Sequence, residues 1–377
     1  MNNDATSQVK SAVVLLPASD TTSEHERHTH HALGIKIAKL LGCPFLGAYN
    51  PRASDPRISA QEALYFIPSD TLIEHEHYRS LGIQTDEDFF GGLVSQPFMA
   101  TKAITHPLFG ADAQRPEGWP LAFSQQTEDA VLRGYTVFSL DEGLHAGSQL
   151  LGHGPLRLKP VRATGGRNQT RIASREELVA ALACLNEDEI TQWGLVLEED
   201  LRQVATYSVG QVSIGGMTAS YYGSQRLTRD NTGTLVYGGS ALRLVRGGYD
   251  ELLALRPPAH IELAIAQARA YEQAAFATLP GFMASRRNYD IAQGLNAQGK
   301  QCSGVLEQSW RIGGASAAEV FGLLALAESP ALHCVQASTH ELYGDAAPPL
   351  HANMLYQGDD PSIGRISKFA LVEPDVP

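Results

Sequence analysis

The chain has 377 residues, 43% of them hydrophobic and 19% charged, with a formal net charge of −12 and a pI near 5.5. That is enough apolar material for two or three packed lobes. The acidic balance argues against a general phosphate-backbone binder, which needs a concentrated basic face to release counterions, so no nucleic-acid partner is expected.

The first apolar run, Ala12 to Leu16, is too short for a signal core or a membrane span and reads as a buried strand, so no membrane association is expected. A helix around 30–41 ending at Gly42 follows, then short strands near 44–48 and 63–67. Alternating β and α of this kind predicts an α/β lobe, small and doubly wound on a parallel sheet, over residues 1–95. Histidines cluster in HERHTHH (25–31) and EHEH (74–77) without the HExxH spacing that turns two imidazoles to one metal. They read as solvated surface residues, with a weak adventitious metal site as the alternative. Cys43, Cys184, Cys302 and Cys334 form no CxxC pair and read as reduced core thiols of a cytoplasmic protein.

Phe89 to Pro107 resembles a connecting helical region and carries Lys102. A second unit, 96–200, starts a strand at Val137-Phe138 and announces two helices by Ser-x-x-Glu caps, Ser139 with Glu142 and Ser174 with Glu177. Between the caps lies LRLKPVRATGGRNQ (156–169), a strand followed by a Gly-containing loop. After them, WGLVLEEDL (193–201) is a buried strand ending in acids. The third unit, 201–330, has strand-like runs at 204–214, 217–225 and 234–245 and a helix over about 260–279. Residues 331–377 are rich in Pro, Gly and Ala and read as an irregular tail that wraps the core or covers a cleft.

Several familiar sites are missing. Gly299-Lys300 is followed by Gln301 rather than Ser or Thr, and neither GxGxxG nor GxSxG occurs, so P-loop, dinucleotide and α/β-hydrolase readings lose their support.

What remains suits a nucleoside triphosphate, which needs cations beside its phosphates, close backbone donors and carboxylates for magnesium. Strand alternation would project Lys159, at the end of the run Leu156 to Leu158, into a cleft, and Ala163 to Gly166 would let backbone N–H groups approach an anion; an ordinary exposed strand end is the alternative. Residues 286–316 read as two strands around an Asn296 to Lys300 turn. A turn centred on Gln298 and Gly299 sets Asp290 opposite Glu307, with Cβ atoms about 5 Å apart on one face. Such a pair repels unless a divalent cation neutralises it; unrelated surface acids in a slipped register are the alternative. Arg311 adds a permanently charged fork, and Ser316 with Glu319 marks another capped helix.

This ordered series resembles the ATP-grasp superfamily: Lys102 in FMATKAIT, Lys159 in LKPVRATGGRNQ, Glu198-Glu199-Asp200-Leu201, Asp290 in NYDIAQ, and Glu307 to Ser316 in LEQSWRIGGAS. The resemblance covers roughly 95–328 and is greatest to an uncharacterised bacterial group. It implies an ATP-grasp fold with ATP and Mg2+ as cofactors. Lys102 and Lys159 would contact phosphates beneath the Gly165-Gly166 loop, and Glu198, Glu199 and Leu201 would hold adenine. Asp290, Glu307 and Ser309 would be metal ligands, and Arg311, more weakly Arg287, would clamp the transferred group. Two departures stand out: Ser309 replaces the usual Asn two residues after the metal-binding Glu, and Ala205 or Thr206 replaces a ribose-binding acid. The implied reaction joins a small-molecule carboxylate to an amine, thiol or other nucleophile in a cytoplasmic protein, with a homodimer allowed. The alternatives are an ATP-binding regulatory module and a phosphotransferase of the same fold.

Overall fold

A computed structural model describes residues 9–18, 23–50, 55–162 and 169–374. Three short strands near the N-terminus, β1 (Ala12–Leu16), β2 (Phe45–Ala48) and β3 (Leu64–Pro68), form a parallel sheet in the order β2-β1-β3. Parallel neighbours need crossovers, and the first is the helix Glu24–Leu41, ended by Gly42 in the left-handed conformation. Leu33, Ile37 and Ala38 cover one sheet face through Val13, Tyr65 and Ile67, while Ile58, Ile83 and Phe89 cover the other through Val14 and Phe66. The expected small lobe is present, but its helix starts at Glu24, because the backbone N–H of Ser23 donates to the Glu26 carboxylate and caps it early. His25 and His30 are accordingly half-buried rather than solvated.

Two short strands, β4 (Leu72–Ile73) and β5 (Gly92–Val94), then lead into a run of single 3-10 turns, Pro97–Ala100 and Lys102–Thr105, where a connecting helix was expected. Next, β6 (Gly134–Val137), β7 (Leu156–Pro160), β8 (Thr170–Ile172) and β9 (Leu195–Glu199) make a sheet of order β6-β9-β7-β8. The helices Leu140–Leu151 and Arg175–Ala183 pack on it through Ala146, Leu150, Leu178 and Leu182. Both caps form as the sequence predicts: Ser139 accepts from the Glu142 N–H and Ser174 from that of Glu177.

The largest sheet has eight antiparallel strands. They are β10 (Arg202–Ile214), β11 (Met217–Arg229), β12 (Leu235–Arg246), β14 (Arg286–Leu295), β15 (Gln301–Ser309), β16 (Cys334–Tyr343), β17 (Asn353–Asp360) and β18 (Gly364–Pro374); β13 (Met283–Ala284) pairs back to β5 instead. The order is β15-β14-β10-β11-β12-β16-β18-β17. The β10–β11 hairpin turns on Gly215-Gly216, both at positive φ, as a two-residue hairpin loop requires. The helix Ala259–Thr278 covers one face through Ala264, Ile265 and Ala268 against Val209, Tyr289 and Ile291. The helix Ser316–Glu328 covers the other, joined there by the first lobe.

Three expectations need correction. Residues 331–377 are not an irregular tail, since β16 to β18 extend the large sheet. Ser316 is the first helical residue rather than the cap, and its Oγ accepts from the Gly313 N–H while Glu319 is buried in an ion pair. The cysteines are not core residues: Cys184 is exposed and the other three are half-buried. Among the described residues no helix is long and apolar enough to cross a membrane.

Candidate functional site

The 98–106 segment lies between the edge strand β15 and the four-stranded sheet and is fastened to both. On the β15 side, Gln308 Nε2 donates to the carbonyls of Met99 (3.1 Å) and Thr101 (2.8 Å), and Gln308 Oε1 accepts from Tyr271 Oη at 2.9 Å. On the other side, Thr136 Oγ donates to the Ala103 carbonyl at 2.6 Å, and His106 Nε2 lies 3.1 Å from Glu198 Oε2. This stitching sets Lys102, only 7% exposed, 2.8 Å from Glu307 Oε2. Residues more than two hundred positions apart thus meet.

Across from Glu307 stands Asp290, in the pairing that the sequence predicts. The route to it differs. Leu295 pairs with Gln301, so the turn is one residue tighter than expected, and a bulge at Leu306 restores the offset before Glu307. Asp290 Oδ1 accepts from Gln225 Nε2 at 2.7 Å and Ser208 Oγ at 3.3 Å. Burial, and then the charge of Glu307, push the Asp290 carboxyl up to about 6 despite those bonds. Two opposed carboxylates with an ammonium already on one of them fit a divalent cation. Among the described residues no three His, Cys, Asp or Glu gather to hold a metal alone, so magnesium here would take its other ligands from phosphate or water.

A second buried charge pair lies on the four-stranded sheet. Lys159 neither projects into open space nor ends an exposed strand: it is buried, and its ammonium donates to Glu198 Oε1. Burial alone would raise the Glu198 carboxyl; Lys159 and His106 outweigh it and hold it at about 2. Both Glu198 oxygens are therefore committed to side chains. His106 Nδ1 is buried without a partner. The amides of Glu199 and Asp200 donate to Arg133 and Pro155 carbonyls, which leaves the apolar cluster of Leu132, Leu201 and Ala292, with Leu306 against it, as the feature suited to a flat base.

Not every predicted residue joins this constellation. Arg287 is spoken for: its Nε donates to Glu272 at 2.8 Å and its other nitrogens to Ala284 O and Gln211, so it acts as a structural ion-pair partner and drops out as an anion clamp. Ser309 Oγ accepts from Arg286 Nη1 at 2.9 Å, and a guanidinium on that oxygen disfavours a metal there. Arg311 is half-exposed and lies 3.7 Å from Asp70 of the first lobe. Its loop is pinned to that lobe by the Gly92 N–H donating to the Trp310 carbonyl, a contact so close that a Cβ at Gly92 would sit 2.6 Å from the Trp310 Cβ. Gly165 and Gly166 lie outside the described residues. A surface hollow of about 460 Å³, lined by Tyr207, Tyr222 and Arg243, opens on the opposite face of the large sheet.

Sequence reasoning missed Gln308 and His106. Gln308 adjoins Glu307, which was the sole signal for it, and His106, between Thr105 and Pro107, carries no local signal at all.

The fold has well-defined relatives among solved structures. Phosphoribosylamine–glycine ligase of Thermotoga maritima superposes with a TM-score of 0.51 at 14% identity, over 96% of this chain and 93% of that one. The biotin carboxylase domain of the 2-oxoglutarate carboxylase of Hydrogenobacter thermophilus, solved with MgADP, ADP and bicarbonate, gives 0.50 at 12% identity over 97% and 87%. At such identities the likeness establishes the ATP-grasp fold alone. No curated protein matches the sequence. A family model matches residues 13–370, so the chain, an ATP-grasp protein by fold, belongs to the family described as Protein of unknown function (DUF3182).

Proposed function

We propose that this protein is an ATP- and magnesium-dependent ligase that joins a small-molecule carboxylate to an amine, thiol or other nucleophile through an acyl phosphate. The observation that carries the reading is the junction of Lys102, Glu307 and Asp290, in which an almost fully buried ammonium meets one of two cross-strand carboxylates. A cation and a paired acid site side by side are what a triphosphate and its metal need. Lys102 would exchange the Glu307 carboxylate for a phosphate oxygen, freeing Glu307 and Asp290 for magnesium. Lys159 would add a second cation only by likewise exchanging Glu198 for phosphate, and Leu132, Leu201, Ala292 and Leu306 offer the base an apolar wall. Bound magnesium would neutralise charge on the transferred phosphoryl group. Arg311 faces the first lobe, where it would meet the carboxylate substrate.

Incubation with Mg-ATP and pooled bacterial metabolites, followed by mass spectrometry, tests the reading. ADP release that needs both a carboxylate and a nucleophile is the expected result. A phosphorylated product would make the protein a phosphotransferase, and tight ATP binding without turnover a regulatory module. The capture of Ser309 by Arg286 is the observation that favours the module.

A further inference from the structure

A buried guanidinium beside the site makes more hydrogen bonds than its ion pair needs. Arg286, the first residue of β14, is 1% exposed, and its Nε and Nη2 pair with the Glu319 carboxylate at 2.8 and 2.7 Å. That bidentate pair alone would fasten β14 to the helix Ser316–Glu328 and neutralise the buried charge. The remaining nitrogen turns the other way. Nη1 donates to the Ser309 carbonyl at 2.8 Å, the Ser309 hydroxyl at 2.9 Å and the Arg311 carbonyl at 2.7 Å, so that its two protons are shared among three oxygens of one loop.

That loop carries Arg311. Residues 310–315 join β15 to the helix Ser316–Glu328 without regular structure, so no strand or helix fixes their backbone. Three successive carbonyls are instead held from outside: those of Ser309 and Arg311 by Arg286, and that of Trp310 between them by the Gly92 N–H. The Arg311 side chain is held more loosely. It is half-exposed, with Nη1 donating to the Ile312 carbonyl at 3.2 Å and Nε 3.7 Å from Asp70, a carboxylate that is itself 64% exposed. Such a side chain presents its head at a defined place when its backbone is fixed. Arg286 and Asp290 share a face of β14. The one guanidinium therefore refers the Arg311 backbone to the strand that bears Asp290 and, through Ser309, to the strand that bears Glu307.

We propose that Arg286 is a positioning residue for Arg311: it holds the loop of the anion clamp in register with Asp290 and Glu307 and touches no reactant. The inference rests on the reading of Arg311 as a clamp on the transferred phosphoryl group. It also gives Ser309 a task, since its hydroxyl is one of the three points at which the loop is anchored. Lysine at position 286 would keep a charge for Glu319 but lack the fork that reaches the loop at the same time.

Calorimetric titration of Mg-ATP and, separately, Mg-ADP into the parent, Arg286→Lys, Arg311→Ala and the double variant tests this before any substrate is known. The two nucleotides differ by the group that Arg311 would clamp. Arg286→Lys and Arg311→Ala should each weaken Mg-ATP by about tenfold and leave Mg-ADP within about twofold of the parent, and the double variant should bind Mg-ATP no more weakly than Arg311→Ala. If Arg286→Lys weakens both nucleotides alike, or its loss adds to that of Arg311→Ala, Arg286 is a structural partner of Glu319 and the proposal fails. If Arg311→Ala weakens Mg-ATP while Arg286→Lys binds both nucleotides as the parent does, the clamp stands and the positioning role falls. If Arg311→Ala binds both as the parent does, the clamp reading falls and takes the proposal with it. Should Arg286→Lys fail to fold, crystals of the parent grown with Mg-ADP and beryllium fluoride decide the matter. Arg311 on a fluoride atom, with Arg286 Nη1 still within about 3.5 Å of both carbonyls, supports the proposal, and an Arg286 parted from them overturns it.

Discussion

Glu307→Gln keeps the shape of the side chain and removes one charge from between Asp290 and Lys102, so its effects on the empty and the loaded protein can be separated. In the empty protein two terms oppose each other. The rise of the Asp290 carboxyl from 3.8 to about 6 corresponds to about 3 kcal/mol, and burial contributes more of it than Glu307. Removing the Glu307 charge should therefore return about 1 kcal/mol. Against this, Lys102 loses a partner at 2.8 Å. A fully buried pair broken on one side costs about 3–5 kcal/mol, but Glu307 is 37% exposed, and water reduces that to about 1–2 kcal/mol. The net change in the empty protein is a loss of about 1 kcal/mol or less, a Tm shift of about 2 °C at most in a chain of this size. The loaded protein should differ far more. A hundredfold excess of Mg-ATP over Kd stabilises the parent by about 2.7 kcal/mol, and a tenfold weaker site forfeits about half of that. Thermal unfolding of both proteins with and without Mg-ATP measures each term. Equal Mg-ATP shifts in the two proteins would refute the metal role of Glu307 and leave it a structural partner of Lys102.

Other outcomes follow from the buried charges. Because the Asp290 carboxyl is raised on folding, the folded chain holds that proton more tightly than the unfolded one, and the stability of the empty protein from this source falls as pH rises from about 4 to about 6; chemical denaturation of the parent and Asp290→Asn across that range should show the slope in the parent alone. Glu198 has the opposite sign: its carboxyl is held at about 2, so its stabilisation is complete above 4.5 and is lost as pH falls toward 2. Glu198→Gln should cost about 3–5 kcal/mol at neutral pH by leaving Lys159 buried beside a neutral amide, and an unchanged Tm would argue against a buried pair. Arg287→Met should lower the Tm while leaving the Mg-ATP shift intact, since its guanidinium is tied to Glu272 and Gln211; loss of the shift would restore it as a nucleotide residue.

The sequence was most legible where local rules act. The Ser139 and Ser174 caps, the Gly42 stop and the meander from β10 to β12 follow from contacts a few residues long. The Asp290–Glu307 pairing came out right through two offsets, because the tighter turn and the Leu306 bulge cancel, and neither is visible in an alternating pattern. The C-terminal strands carried a faint signal: Val335, Ala337 and Thr339 are buried in alternation, but such small side chains barely rise above the Pro, Gly and Ala around them. Partners across long separations were beyond reach. Gln308 with Met99 and His106 with Glu198 are buried polar pairs, and periodicity assigns polar residues to the surface. The same limit explains Arg287 and Ser309, which looked available until Glu272 and Arg286 were seen to hold them.

Calorimetric titration of Mg-ATP into the parent protein and into Lys102→Ala tests the central claim most directly, because it asks whether the junction of Lys102, Glu307 and Asp290 is a nucleotide site before any substrate is known. The account predicts one saturable site with a Kd at or below the millimolar range, dependent on magnesium and lost in the variant. Absence of binding at millimolar Mg-ATP, or equal binding by the parent and Lys102→Ala, would contradict it.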